Sequence, residues 1–256
     1  MPIELDKAGP IATLTLNRPE KLNALTVEML LQMEQHLLAL SRDADIRVLL
    51  IKGAGDRSFC VGADIHAWAD LDAVAMWRNW ITEGHRIFDL LARLRVPTIA
   101  VLNGYTFGGG LELALAADIR LAANHVQLAL PEVQLGIVPG WGGTNRLPAL
   151  VGAARAKQMV FTGMRISAEQ AASWGLVNEV VDTDTLEQHA QNMASAICNN
   201  GPLAVQMTKQ LIDGNAAGSS GFQLEALASG FARFTEDAIE GVASFKEKRP
   251  PVFKGQ

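Results

Sequence analysis

Residues 103–118, NGYTFGGGLELALAAD, restrict the possible fold more than any other part of the chain. They follow an uncharged, mostly apolar run at 98–102, which is typical of a buried strand. Glycines 108–110 bring the backbone to a place where side chains would be in the way. Residues at helical spacing come next, namely Leu111, Ala114, Leu115 and Asp118. The sequence therefore predicts a buried strand, a glycine turn and a helix in direct succession.

The glycine turn and the first helical turn together have the makings of a reaction site. The first N–H groups of a helix lack intrahelical acceptors, and the helix dipole adds positive charge there, so an anion is favoured. Glu112 comes three residues after Gly109 and projects from the same side of this turn. A backbone donor and a carboxylate one turn apart are two halves of a catalytic site.

Simpler interpretations of this stretch remain open. The glycines could serve close packing alone, and they match neither G-x-G-x-x-G nor a phosphate-binding loop followed by Lys-Ser or Lys-Thr. Glu112 could be a solvated glutamate favoured by the helix dipole. Its neighbours, however, make the helix apolar nearly all round, which predicts burial. A buried glutamate is costly unless it has a partner or a task.

Composition narrows the class of protein. The 256 residues are 49% hydrophobic, enough for one large domain or one domain with an appendage. The net charge of −5 gives no reason to expect nucleic acid or an anionic membrane as a partner. Cys60 and Cys198 are far apart, which predicts no disulfide. Without a signal peptide or a membrane-spanning run, the sequence predicts a soluble, cytoplasmic protein.

Strands and helices alternate up to about residue 182, and helices alone follow. The predicted strands are 3–6, 11–16, 48–51, 58–61, 98–102, 119–122, 126–129 and 177–181. Outside the glycine-turn helix, the main predicted helices are 26–40, 66–94, 144–151, 153–161, 186–198, 203–213, 222–234 and 237–245. This order indicates an α/β domain with an all-α appendage.

Two further residues are weaker candidates. Glu132, in a loop after Pro131, is by itself an ordinary solvated carboxylate, but it could share acid and base roles with Glu112 if the two converge. Ala63 follows Gly62 in a sharp turn and could present a second backbone N–H, although an ordinary turn is the simpler interpretation.

Other chemistries find no support in the sequence. The histidines show no metal-binding spacing, no serine lies in G-x-S-x-G, and neither cysteine has a basic partner nearby in sequence. Trp68, Met76, Trp77 and Trp80 lie near helical spacing. Such a stripe predicts core packing, with an acyl-chain pocket as the less favoured alternative.

Six sequence blocks occur in a specific order across essentially the whole chain. They are NRPEKLNAL at 17–25, FCVGADI at 59–65, NGYTFGGGLE at 103–112, PEVQLG at 131–136, PGWGGTNRL at 139–147, and a C-terminal block, TEDAIEG at 235–241 with FKEKRP at 245–250. Together they resemble the crotonase (enoyl-CoA hydratase/isomerase) superfamily, and within it the enoyl-CoA hydratases.

The resemblance implies a fold and a ligand. The fold would be α/β, a crotonase-like spiral of β-β-α units with a C-terminal all-helical region for oligomerisation. Residues 1–182 would form the catalytic core, and residues 183–256 would assemble homotrimers, usually stacked as hexamers. The apolar side chains expected to support assembly are Phe222, Leu224, Leu227, Phe231 and Phe234. The substrate would be an acyl-CoA thioester, and no metal or other cofactor would be needed.

The resemblance also implies roles for individual residues. The backbone N–H groups of Ala63 and Gly109 would form an oxyanion hole for the thioester oxygen. Glu112 and Glu132 match the two catalytic glutamates of the family, and the backbone of Gly140 matches a position that helps to hold the water.

Substrate binding would involve further backbone positions. The segment of Ala63, Asp64 and Ile65 matches one whose backbone meets the adenine end of CoA, and Pro131 would also take part in substrate binding. Trp141 is larger than the residue often found at its position, which leaves the acyl-chain preference open.

Alternatives to hydration stay open at this stage. The nearest are other crotonase-family reactions, namely double-bond isomerisation, dehydration of a specialised hydroxyacyl-CoA, or decarboxylation. Isomerases of the family commonly keep only the glutamate that comes later in the sequence, which corresponds to Glu132, whereas this chain has both. A protein that binds acyl-CoA or RNA without turnover is a different class, which the carboxylate pair and the negative net charge disfavour.

Overall fold

Two β-sheets and a set of helices make up the computed structural model, which describes residues 1–215 and 221–256. The strands are β1 (Ile3–Ala8), β2 (Ile11–Leu16), β3 (Val48–Gly53), β4 (Ser58–Cys60), β5 (Thr98–Leu102), β6 (Tyr105–Phe107), β7 (Ile119–Ala123), β8 (Gln127–Ala129), β9 (Ile166–Ser167) and β10 (Glu179–Val181). A six-stranded sheet has the order β1-β2-β3-β5-β7-β10, and a four-stranded sheet has the order β4-β6-β8-β9.

Helices connect and cover these strands. They are α1 (Val27–Arg42), α2 (Ala73–Ala75), α3 (Thr82–Ala92), α4 (Gly109–Ala116), α5 (Gly143–Val151), α6 (Ala153–Thr162), α7 (Ala168–Ser173), α8 (Leu186–Cys198), α9 (Pro202–Asn215), α10 (Gly221–Ala232) and α11 (Glu236–Glu247). A π-helical segment, Met76–Ile81, joins α2 to α3. No helix within the described parts of the chain is both long and apolar enough to cross a membrane.

The six-stranded sheet carries most of the core. β1 and β2 form an antiparallel hairpin around Gly9-Pro10, and every other pairing in this sheet is parallel. β5 is buried along its whole length, as its uncharged sequence predicts. Thr26 caps α1 through a hydrogen bond from the Met29 N–H, and the predicted apolar face of α1 is buried.

The four-stranded sheet positions the loops that matter for function. β4, β6 and β8 are parallel neighbours, so their carboxyl ends lie at the same edge. The chain leaves this edge at Val61 after β4, at Gly108 after β6 and at Leu130 after β8. Three segments far apart in sequence therefore meet in one place.

The structure corrects three of the predicted elements. An additional strand, β6, lies where the sequence predicted only a turn between β5 and α4. The single helix predicted over 66–94 is divided into a 3-10 turn (Ile65–Ala67), α2, the π-helical segment and α3. α4 ends at Ala116, so Asp118 lies beyond the helix, where its carboxylate accepts hydrogen bonds from Thr98.

The C-terminal region is joined to the core by specific contacts. α8 packs against the six-stranded sheet and buries Leu186, Ala190 and Ala194. Lys209 on α9 forms an ion pair with Asp118, with the Nζ atom 2.8 Å from Oδ2. The division of the chain into units at residue 182 stays a prediction.

Burial of α4 requires a glycine at its second position. A Cβ added at Gly110 would overlap the Cys60 carbonyl oxygen at the end of β4, so the helix and the strand touch backbone to backbone. At the other end of α4, the buried guanidinium of Arg120 donates to the carbonyl oxygens of Ala114 (3.3 Å) and Ala117 (2.6 Å).

We expect Gly110→Ala to destabilise the protein by roughly 1–3 kcal/mol, because the added methyl group overpacks a contact with backbone. Thermal denaturation at fixed protein concentration measures the effect. The matched control is Gly214→Ala in α9, where a Cβ meets no described residue within 4 Å, and where alanine should be neutral or slightly stabilising. Equal melting temperatures for the two variants would contradict the close contact between α4 and β4.

Candidate active site

The N-terminus of α4 presents a free backbone donor. Gly108 has φ +53°, a conformation that favours glycine, and its N–H donates to the Ala129 carbonyl at 2.9 Å. The first bond of the helix runs from the Glu112 N–H to the Gly108 carbonyl at 3.0 Å. The N–H of Gly109 donates to no acceptor among the described residues.

A second free donor lies beside the first. Ala63 follows β4, and its N–H likewise has no acceptor within 1–215 and 221–256. A Cβ built on Gly109 would lie 3.6 Å from the Ala63 nitrogen, so the two peptide groups are neighbours. The turn predicted from sequence and the glycine-opened helix therefore supply a pair of adjacent donors, the number that an oxyanion hole typically has.

Glu112 is a buried carboxylate with well-defined partners. It is 2% exposed, and its Oε1 atom accepts hydrogen bonds from the N–H groups of Trp141 and Gly143, both at 2.8 Å. Gly143 is the first residue of α5, so the carboxylate also interacts with that helix's N-terminus. Burial raises the pKa of Glu112 above its ordinary value, while these two donors and the charge of Arg146 oppose the rise.

Glu132 lines the same pocket as Glu112 and lies beside the glycine turn. It begins a short 3-10 turn (Glu132–Leu135) after Pro131, and a Cβ added at Gly108 would lie 3.1 Å from its Oε1 atom. Its Oε2 atom is buried and has no hydrogen-bond partner among the described residues. Burial raises the pKa of Glu132 to about 7, and the nearby charge of Glu112 contributes to the rise. The carboxyl group is therefore largely protonated at slightly acid pH and still partly protonated at neutral pH.

One pocket of about 110 Å³ collects most of the expected site residues. Those lining it are Ala63, Gly109, Glu112, Pro131, Glu132 and Gly140. Asp64 and Ile65 lie outside its walls: Asp64 forms an ion pair with Arg18, with 2.5 Å between Oδ2 and Nη1, and caps a 3-10 turn. Their expected contact with CoA stays a prediction.

The prediction of core packing for the aromatic stripe is confirmed for Trp80, which is buried in the core, and for Trp68 and Met76, which pack against the core, but it is wrong for Trp77. Trp68, Met76 and Trp80 line the apolar side of the pocket. Trp77 is 64% exposed. The π-helical segment accounts for the split, because its wider turn changes which side chains share a face.

Trp141, Gly143 and Arg146 were not predicted from the sequence as partners of the carboxylate. Arg146 Nη1 donates to the Trp141 carbonyl at 3.0 Å, and Nη2 lies 3.6 Å from an Asp89 carboxylate oxygen. A signal was present in the two glycines that open α5. Gly142, at φ +109°, makes the turn that directs the Gly143 N–H towards Glu112.

No group of three or more metal-ligating side chains is found in the described portion of the chain. Both cysteines are free thiols, and burial raises the pKa of Cys60 to about 12. The polar groups assembled in the pocket are thus two carboxyl groups and two peptide donors.

Comparison with known proteins identifies the family. The family model for enoyl-CoA hydratase/isomerase matches residues 6–256. This chain belongs to that family.

Individual family members are similar over nearly the full length. The chain is 38% identical over 249 residues to the short-chain-enoyl-CoA hydratase of Clostridium acetobutylicum, covering 96% of this chain and 94% of that protein. It is 39% identical over 259 residues to the crotonyl-CoA hydratase of Syntrophomonas wolfei, covering 98% and 97%.

A solved structure confirms the fold expected from the sequence. The crystal structure of an enoyl-CoA hydratase from Bacillus anthracis superposes with a TM-score of 0.97 at 37% identity, and all of both chains is covered. The crotonase fold predicted from the six sequence blocks is therefore confirmed.

We expect Arg146→Gln to raise the pKa of Glu112 further, because it removes a positive charge that favours the carboxylate. The measurement is a pH titration of side-chain carboxyl signals by NMR in protein labelled at glutamate, with the Glu112 signal assigned by its loss in Glu112→Gln. Arg155→Gln, an exposed charge change on α6, is the control. An unmoved or lowered Glu112 midpoint in Arg146→Gln would exclude the electrostatic role.

Proposed function

We propose that this protein is an enoyl-CoA hydratase, which adds water reversibly across the 2,3 double bond of a 2-enoyl-CoA to give the 3-hydroxyacyl-CoA. The observation that carries the proposal is the convergence of Glu112 and Glu132 beside the free N–H groups of Ala63 and Gly109. The names of the similar proteins support the same reaction. A place in fatty-acid β-oxidation or related acyl-CoA catabolism follows from this chemistry.

The two peptide donors suit the charge that hydration creates. As water adds to the conjugated thioester, negative charge develops on the carbonyl oxygen in an enolate-like state. The N–H groups of Ala63 and Gly109 stabilise that oxygen, and the N-terminus of α4 adds its dipole. Loss of one such donor typically costs about 3 kcal/mol of transition-state stabilisation.

The two carboxyl groups divide the proton transfers. Glu112 takes a proton from the water as its oxygen bonds to C3, and the backbone of Gly140 helps to hold that water. The electron pair of the double bond moves to C2, where Glu132 delivers a proton. A pKa of about 7 suits this donor, because a proton must leave it in one direction and return in the other. No metal or redox cofactor takes part, and CoA enters as part of the substrate.

A double-bond isomerase is the principal alternative. In isomerisation one carboxyl group moves a proton between carbons, and the other is dispensable. The burial of Glu112, with two N–H groups bonded to one of its oxygens, favours hydration, because a dispensable carboxylate would not offset the cost of its own desolvation.

We expect Glu112→Gln and Glu132→Gln each to lower hydration of crotonyl-CoA by roughly 10²–10⁴-fold, because glutamine keeps the size but cannot transfer protons. The double variant should be little worse than the more impaired single variant, since the two groups act as a unit. Loss of absorbance of the conjugated enoyl thioester gives the rate.

The same variants separate the two reactions. Each is also assayed with a 3-enoyl-CoA, and Glu83→Gln, an exposed change on α3, is the control. Full hydration by Glu112→Gln would exclude the two-carboxylate mechanism. Wild-type activity confined to the 3-enoyl substrate would instead assign the protein to the isomerases.

Self-association is the second part of the proposal. α10 and the turn after it expose large apolar side chains, namely Leu224, Leu227, Phe231 and Phe234, with 50–87% of each accessible. Phe222, of the same predicted face, lies outside the residues whose side chains the structure describes. An exposed apolar face of this kind is typical of an interface, so we propose a homotrimer or a dimer of trimers.

Light scattering should return about three or six times the 27.5 kDa mass of one chain at micromolar concentration. We expect Leu227→Glu combined with Phe231→Glu to lower that mass, because the charges cannot be buried at low cost. The control is Phe161→Glu, an equally exposed aromatic position on α6. A wild-type mass of 27.5 kDa would rule out the assembly.

A further inference from the structure

The indole of Trp141 lies between two helices that each carry a glycine against it. A Cβ added at Gly84 in α3 would overlap the Nε1 edge of the ring, and one added at Gly109 would lie 2.6 Å from Cζ3. Neither glycine has a positive φ, so the backbone conformation does not require glycine at either position. Glycine inside a helix costs about 0.5–1 kcal/mol relative to alanine. The ring itself is therefore the reason that glycine is needed at both positions.

The ring is also held at its edges. The centroid of Trp80 lies 5.1 Å from that of Trp141, and the centroid of Phe88 lies 5.2 Å away in an edge-to-face arrangement. The indole Nε1–H donates to the Trp80 carbonyl at 3.3 Å. With 2% of its surface exposed, Trp141 has no other orientation available without unpacking α3.

Trp141 is therefore a rigid part of the pocket wall, next to the groups that bind the reacting atoms. The ring of Trp141 touches Gly109, the proposed oxyanion donor, and the backbone N–H of Trp141 donates to Glu112. Leu135 and Val138, which also line the pocket, are 61% and 70% exposed, so the pocket is open to solvent beside them.

We infer that Trp141 is the residue that determines acyl-chain length, and that it restricts the site to short 2-enoyl groups such as crotonyl. The inference rests on the proposed hydratase function and names the substrate class of that site. The pocket has a volume of about 110 Å³, and the indole fills the space beside Gly109 into which a longer acyl chain would extend.

The test replaces the indole with smaller side chains, Trp141→Leu and Trp141→Phe. Both keep the backbone N–H that bonds to Glu112, and both open volume beside Gly109. Each methylene accommodated in an apolar pocket is worth roughly 10-fold or more in kcat/KM. We expect the ratio of kcat/KM for 2-octenoyl-CoA to that for crotonyl-CoA to rise at least about 10-fold in Trp141→Leu, and less in Trp141→Phe.

Binding provides a readout that does not need turnover. Calorimetry with butyryl-CoA and octanoyl-CoA should show the ratio of their Kd values shifting by a similar factor towards octanoyl-CoA. Trp77→Leu is the matched control, because it removes an exposed tryptophan from the same region and should leave both ratios unchanged.

A second arm tests the fit of the ring. Gly84→Ala should lower the melting temperature of the wild-type chain, because its methyl group meets the indole. In the Trp141→Leu background the same change should cost less, which a double-mutant cycle measures. If Trp141→Leu does not fold, Trp141→Phe serves in both arms.

The outcomes separate this inference from the function it rests on. Absence of crotonyl-CoA hydration by the wild-type protein would refute the hydratase proposal, whereas the binding ratios would still report on Trp141. Folded Trp141 variants with unchanged binding and turnover ratios would refute the role of the indole, whatever the reaction.

Discussion

The geometry of the site depends on fixing the position of one buried carboxylate oxygen, Oε1 of Glu112. A carboxylate that is 2% exposed has lost most of its hydration, and hydrogen bonds or opposite charge must offset that loss. The Oε1 atom of Glu112 accepts two hydrogen bonds of 2.8 Å, one from the N–H of Trp141 and one from the N–H of Gly143 at the start of α5. These bonds tie α4 to the start of α5 and to the residue that precedes it by two positions, Trp141. The proposed base and the wall of the pocket are therefore held in register by the same interaction.

The second constraint is the edge of the small sheet. β4, β6 and β8 run parallel, so each delivers its following loop to the same place, and the glycine turn lets α4 start in contact with β4. The two ends of α4 are then used differently. Its N-terminal Gly109 N–H faces the pocket, and its C-terminal carbonyls are satisfied by the buried Arg120 guanidinium. Burial lowers the pKa of Arg120 to about 10, so the cap keeps its charge at neutral pH.

Local patterns predicted those parts of the site that depend on neighbouring residues in the chain. The strand, the glycine turn and a buried Glu112 were predicted from residues 98–116 alone, because an uncharged run, three glycines and a helix that is apolar nearly all round are local patterns. The partners of Glu112 could not be predicted in this way, since they lie about 30 residues further on and depend on a turn at Gly142. β6 escaped prediction because three residues become a strand only when β4 and β8 pair on both sides.

Trp141 contributes to the site through two groups, its backbone N–H and its indole ring, and a substitution can change one without the other. Its backbone N–H belongs to the peptide chain, and any residue except proline would supply the same donor to Glu112. Its indole is the part that fills the space between Gly84 and Gly109. A change of side chain at this position therefore alters the space beside Gly109 while the donor to the base is retained. Acyl preference and proton transfer can thus diverge within one fold, because one depends on a side chain and the other on the backbone beneath it.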